Sequence, residues 1–92
     1  MLTTNTGKNL QTRTAMLNII DEVRATKNID TDFWGNKALT YWTLYTDAKS
    51  IRRDNKTNTW RAIYRYLAPR NLKKGLTAEE IEDIVRLTFE IA

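Results

Sequence analysis

Apolar side chains recur three and four residues apart along most of this chain, and this spacing places them on one face of an α-helix. Met16, Ile19, Ile20 and Val23 follow this spacing in the first periodic segment. The strict alternation of apolar and polar residues that marks a half-buried β-strand gives no clean face anywhere in the sequence. The periodicity therefore predicts an all-α protein.

Four segments have this helical pattern, and short polar stretches connect them. We predict amphipathic helices at about residues 10–27, 32–53, 58–68 and 77–91. Helices of this kind bury their apolar faces against one another, which predicts a compact four-helix bundle. Residues 10–92 are then a single helical domain, and the polar residues 1–9 are a flexible lead-in.

The start of the last helix has the clearest local signal. Thr77 and Glu80 have the spacing of a capping box, in which each side chain accepts the backbone N–H of the other residue. Leu76 and Ile81 occupy the two positions of a hydrophobic staple around this box. The pattern predicts that the helix begins at Thr77.

Other local signals predict the ends of the middle helices. Thr31 or Asp32 is expected to cap the second helix, because both side chains can accept free backbone N–H groups. Pro69 is expected to stop the third helix, since proline has no N–H to donate. A short turn is expected to follow Pro69, and the side chain of Leu72 is expected to pack this turn against the core.

The composition excludes most enzyme chemistry. The 92 residues include no Cys and no His, so the chain has no thiol nucleophile, no imidazole base and none of the usual zinc ligands. The carboxylates at 30–32 and 79–83 lie where helix caps and the positive end of a helix dipole favour them. We therefore predict no catalysis, metal or cofactor. Without a signal-like or membrane-spanning apolar stretch, we expect a cytoplasmic protein.

The net charge of +4 is distributed very unevenly. Residues 1–48 are balanced, and residues 76–92 have a net charge of −4. Residues 49–75 hold nine Lys and Arg side chains but only one acid, Asp54. Crowded like charges repel one another, and a polyanion would relieve that repulsion. The middle segment therefore points to an anionic partner.

We predict that this segment forms a surface that binds nucleic acid, either DNA or RNA. Arg and Lys neutralise phosphates and release counterions, and the Arg fork can make two parallel bonds to a phosphate. Tyr66 lies off the apolar stripe of the third helix, where it can face a base or a sugar. The predicted contact residues are Lys49, Arg52, Arg53, Lys56, Arg61, Arg65, Tyr66, Arg70, Lys73 and Lys74. A protein this small and non-enzymatic is compatible with a regulatory role.

Two alternatives involve the same residues. In one, the acidic last helix lies against the basic segment and neutralises about half of its charge. In the other, the protein is an interaction module, either an adaptor or an inhibitor of a larger enzyme, that presents a basic and aromatic surface to an acidic protein. Trp34, Trp42 or Tyr66 would then be the anchors, since Trp, Tyr and Arg dominate binding hot spots.

Two short stretches resemble the helical C-terminal domains of some plasmid and phage primases. These stretches are Arg53-Asp54-Asn55 with Trp60, and the helix start Gly75-Leu76-Thr77-Ala78-Glu79-Glu80-Ile81. The similarity covers less than half of the chain, and its second part is a capping box that precedes helices of many kinds, so we do not assign the chain to that family. The resemblance implies a nucleic-acid partner.

Overall fold

The computed structural model of the protein describes residues 8–55 and 59–90, and these residues form helices without any strand. The helices are α1 (Lys8–Thr26), α2 (Thr31–Trp34), α3 (Lys37–Asn55), α4 (Trp60–Lys73) and α5 (Ala78–Glu90). The predicted all-α bundle is confirmed, with the single turn α2 added to four longer helices. Most of the predicted lead-in lies outside the described residues, but Lys8 and Asn9 belong to α1.

The core of the bundle is centred on α5, which packs against α1, α3 and α4. Ile81, Ile84 and Val85 on α5 have no exposed surface. The same core cluster contains residues of the other helices that are also fully buried, among them Met16 of α1, Leu44 of α3 and Ile63 of α4. The apolar faces predicted from the helical spacing therefore converge on one cluster.

The predicted second helix is interrupted near its start, at Gly35. Asp30, rather than Thr31 or Asp32, caps α2, because its Oδ1 accepts the N–H of Asp32 at 3.1 Å. Gly35 has a φ of +85°, a conformation that a residue with a side chain rarely adopts. The chain leaves the helical path there, and α3 begins afresh at Lys37.

The predicted end of the third helix at Pro69 is wrong, because α4 continues to Lys73. Pro69 lies on the exposed side of α4, and the carbonyl that loses its N–H partner belongs to Arg65, an exposed residue that water can reach. On the opposite side Asn71 is buried, and its Nδ2 donates to the carbonyl of Leu67 at 2.9 Å. The helix tolerates proline because the lost bond faces solvent.

The end of α4 also corrects the expected position of Leu72. This side chain is 48% exposed, and Asn71 is the residue that turns inward. The helix finishes in a Schellman motif, in which the N–H of Leu76 donates to the carbonyl of Asn71 and the N–H of Gly75 to that of Leu72, both at 3.1 Å. Gly75 supplies the required positive φ of +101°.

The predicted capping box at the start of α5 is confirmed. The N–H of Thr77 donates to Glu80 Oε1 at 2.8 Å, and the N–H of Glu80 donates to Thr77 Oγ1 at 3.1 Å. Leu76 and Ile81, the predicted staple residues, are both buried in the core cluster. Local sequence therefore fixes where the central helix begins.

Candidate nucleic-acid interface

The predicted basic residues form two groups on neighbouring helices. One group lies at the end of α3 and the other runs along α4 to the residue that follows it. We use the name basic surface for the exposed cations Lys49, Arg52 and Arg53 of the first group and Arg61, Arg65, Arg70, Lys73 and Lys74 of the second. Helices α3 and α4 pack against each other. The remaining predicted cation, Lys56, lies outside the described residues.

The α3 group surrounds a shallow open cavity of about 340 Å³, lined by Lys49, Arg52 and Arg53. The Lys49 ammonium lies 5.3 Å from the centre of the Tyr45 ring, within the range of a cation–π contact. Arg53 Nε lies 3.2 Å from Asp54 Oδ1, but both side chains are mostly exposed, so water screens this pair. Lys49 and Arg53 are therefore accessible to an anion.

Arg52 has a different role from its neighbours, because it ties α3 to α5. Its Nη1 donates to the carbonyl of Thr88 at 2.7 Å, and its guanidinium lies 4.7 Å from the centre of the Phe89 ring. The C-terminal end of a helix has partial negative charge, which favours a cation there. The structure gives Arg52 a role in packing in addition to the predicted phosphate contact.

One flank of α4 combines two arginines with two aromatic rings. Arg61 and Arg65 are one helical turn apart, and with Trp60, Tyr64 and Glu82 they line an open cavity of about 250 Å³. Trp60 and Tyr64 are only partly exposed and pack against the core, with ring centres 6.2 Å apart. Two partly buried rings and two exposed arginines therefore line the same cavity.

Arg86 extends this flank and was missed by the sequence analysis. Its guanidinium lies 5.0 Å from the centre of the Trp60 ring, and that of Arg61 lies 5.5 Å from the same ring. Arg86 is the only cation of the acidic segment 76–92, so the charge count by segment left it out of the predicted contact residues. The sequence signal for the position of Arg86 is its spacing of four residues from Glu82, because residues four apart are neighbours on a helix. The two side chains form an ion pair at 3.1 Å.

The outward-facing side of α4 presents Tyr66, Arg70 and Lys73, spaced four and three residues apart on one helical face. We call these three residues the outer stripe. Tyr66 is 67% exposed, which agrees with its predicted position off the apolar stripe of this helix. Two cations and an aromatic ring therefore share one side of α4.

Three of the five acids of α5 pair with cations outside the basic surface. Glu80 Oε2 lies 2.7 Å from Lys37 Nζ at the start of α3, and Glu90 pairs with Arg13 of α1. Glu82 pairs with Arg86 on its own helix. Within residues 8–55 and 59–90, no ion pair joins an acid of α5 to the basic surface. Glu82 lines the α4 cavity together with Arg61 and Arg65.

The carboxylate of Glu80 is held by hydrogen bonds and an ion pair within the fold. Burial alone would raise its pKa, but hydrogen bonds from Lys37, Tyr41 and the N–H of Thr77 outweigh that effect, so the pKa of Glu80 is lowered. Burial, together with the hydrogen bond to Glu80, raises the pKa of the Tyr41 hydroxyl. This network makes Glu80 a structural acid that is not available to neutralise α4.

Two of the three predicted aromatic anchors are used internally. Trp34 packs partly against the core, and its Nε1 donates to Glu22 Oε1 at 2.7 Å. Trp42 is also partly buried, with its ring centre 5.5 Å from that of Tyr45. Tyr66 is the predicted anchor that is mostly exposed, and it lies within the outer stripe.

The described ranges 8–55 and 59–90 contain no group of three or more acidic residues that could hold a metal ion. None of the helices in the same ranges combines the length and the apolar character needed to cross a bilayer. The search for similar proteins found no matching family model, no matching curated protein and no matching solved structure.

Proposed function

We propose that the protein binds nucleic acid by contacting phosphates with the basic surface. One observation carries this proposal. Three of the five acids of α5 have cationic partners on α1, α3 and α5 itself, and none is paired with α4. The cations of α4 are exposed and have no ion-pair partner among the described residues. The positive charge of the middle segment therefore stays on the surface after folding.

A phosphate backbone suits this arrangement. Arg61 and Arg65 stand one turn apart on α4, and like charges at that spacing repel each other. Binding to phosphates replaces that repulsion by attraction and releases the counterions condensed on the nucleic acid. The open cavity beside these two arginines leaves room for an anion to approach, and so does the cavity beside the cations of α3.

The members of the basic surface are not expected to contribute equally. Arg61, Arg65 and Arg70 are exposed, without an ion pair in the described part of the chain, and able to bind a phosphate through two N–H groups. Arg52 already donates to a backbone carbonyl and lies over a ring, so we expect its contribution to be the smallest among the arginines. The centre of the interface is therefore α4.

A salt series with charge-reversal variants tests the proposal. We expect log Kd for an oligonucleotide to rise linearly with log salt concentration, and the double variant Arg61→Glu/Arg65→Glu to reduce that slope by about 1 to 2 units. The matched control Arg24→Glu/Lys27→Glu changes the net charge equally but alters exposed residues at the end of α1. We expect the control to retain most of the affinity, and both double variants to keep the helical circular dichroism spectrum.

Three outcomes would contradict the proposal. Absence of binding at low salt, to single strands and duplexes alike, would exclude a nucleic-acid partner and favour the alternative, an acidic protein that meets the same basic surface. Equal loss of affinity in both double variants would mean that only the net charge matters. Unchanged affinity in the α4 variant would exclude Arg61 and Arg65 from the interface.

A further inference from the structure

Tyr66 is an aromatic residue whose ring does not pack against the core. Its side chain is 67% exposed, and it lies away from the face of α4 on which Ile63 and Leu67 are buried. In the described part of the chain, Tyr66 makes no hydrogen bond or ring contact, although every other tyrosine does so or packs against the core. Exposing a large apolar ring to water costs free energy that a ligand can recover.

The surroundings of Tyr66 leave the ring open and place positive charge beside it. The residue one turn earlier on the same face is Ala62, which is too small to cover the ring. Because an α-helix rises 1.5 Å per residue, Arg70 and Lys73 follow at about 6 Å and about 10 Å along the axis. Both cations are exposed and form no ion pair within the described ranges. The outer stripe is thus a ring followed by two anion-binding groups.

We propose that the outer stripe binds single-stranded nucleic acid, with one base stacked on Tyr66 and the following phosphates held by Arg70 and Lys73. This inference rests on the proposed nucleic-acid binding and specifies its substrate. A duplex keeps the faces of its bases covered by neighbouring bases, whereas an unpaired strand can present a base face to an aromatic side chain. Every base has such a face, so the stacking tolerates any sequence.

A second exposed aromatic residue shows that exposure alone does not create this site. Phe33 of α2 is 75% exposed, more than Tyr66, but its neighbours in sequence are the carboxylates Asp30 and Asp32. Its ring also packs edge-on against Trp34, with ring centres 4.9 Å apart. A phosphate chain would be repelled there. Phe33 therefore serves as a control, an exposed ring that is preceded in sequence by acids rather than followed by two cations on the same helix.

The experiment compares three probes of equal length by fluorescence anisotropy with the full chain. They are oligothymidine, an abasic strand with the same number of phosphates, and a duplex. We expect oligothymidine to bind more tightly than the abasic strand. Tyr66→Leu should weaken oligothymidine binding roughly tenfold and leave abasic binding within about twofold. Tyr66→Phe should keep nearly full affinity, because the ring and not the hydroxyl makes the contact. Phe33→Leu should change nothing.

Each other outcome overturns the inference in a distinguishable way. Equal affinity of the wild-type chain for oligothymidine and for the abasic strand, or equal weakening of both by Tyr66→Leu, would exclude stacking and leave phosphate binding intact. A loss in Tyr66→Phe as large as in Tyr66→Leu would show a hydroxyl contact instead. Preference for the duplex would exclude the single-strand assignment. Failure of all three probes to bind at low salt would overturn the proposed function as well.

Discussion

Helices α4 and α5 are both strongly charged, but the structure uses their charges in opposite ways. On α5, Glu80, Glu82 and Glu90 each have a cationic partner, and Glu80 also closes the capping box. On α4, Arg61, Arg65 and Arg70 point to solvent without an ion pair in the described residues. A charged segment therefore indicates a ligand only where its side chains have no ion-pair partner within the folded protein.

The largest difference should appear at Glu80. Glu80→Ala removes the acceptor of the Tyr41 hydroxyl and of the Thr77 N–H, and we expect it to lower the free energy of unfolding by about 3 kcal/mol. Urea unfolding followed by circular dichroism measures this. Glu79→Ala alters an exposed acid one residue earlier and should cost less than about 0.5 kcal/mol. Similar losses in both variants would refute the structural role of Glu80.

A smaller effect should separate two adjacent arginines of the basic surface. Arg52→Ala removes the hydrogen bond to the Thr88 carbonyl and the contact with Phe89, which we expect to cost about 1 kcal/mol of stability. Arg53→Ala breaks an exposed pair and should cost less than about 0.5 kcal/mol. Oligonucleotide affinity should fall more for Arg53→Ala. A larger loss of stability in Arg53→Ala would mean that the fold depends on Arg53 instead. A larger loss of affinity in Arg52→Ala would mean that Arg52 contributes more to binding than Arg53.

The smallest expected effect concerns Asp83, a buried acid of α5 that forms no ion pair among the described residues. Its Oδ2 has no hydrogen-bond partner among the described residues, and burial, with the nearby Glu82, raises its pKa above 3.8. The carboxylate is therefore destabilising when charged, and protonation as the pH falls through the raised pKa relieves that penalty. Asp83→Asn should stabilise the protein at pH 7 by up to about 1 kcal/mol. This gain should shrink as the pH falls through the raised pKa and vanish below the ordinary value of 3.8.

Glu80 should show the opposite dependence on pH. Its pKa is lowered in the folded protein, so its contribution is complete above the ordinary value of 4.5 and is lost as the pH falls through the lowered value. Urea midpoints of the wild-type chain, Asp83→Asn and Glu80→Gln across this range compare the two residues directly. A gain from Asp83→Asn that persists well below pH 3.8 would show that packing, rather than charge, limits this position.

The parts of the fold that sequence could predict are those decided by near neighbours. Spacings of three and four residues identified the buried faces of α1 and α5, and the box formed by Thr77 and Glu80 located the start of α5. These features depend on contacts within one or two helical turns. The same holds for the exposure of Tyr66, which follows from its angle around α4.

Other features depended on contacts that local patterns do not encode. Helix α4 continues through Pro69 because the hydrogen bond lost there faces water. Which side of α4 faces water depends on how this helix packs against the other helices. The pairs Glu80 with Lys37 and Glu90 with Arg13 join residues that are far apart in the sequence. The position of the basic residues was therefore predictable, but whether their charge would be neutralised was decided by the packing of α5.

The central position of α5 also has a consequence for the order in which the protein can acquire its structure. Ribosomes make α1, α3 and α4 before the helix on which all three assemble. Until α5 emerges, α3 can pack against α1 and α4, but the part of the core around Met16, Leu44 and Ile63 that α5 completes stays uncovered. A nascent chain halted before residue 78 would therefore expose its future core, and it should attract chaperones until translation supplies the missing helix.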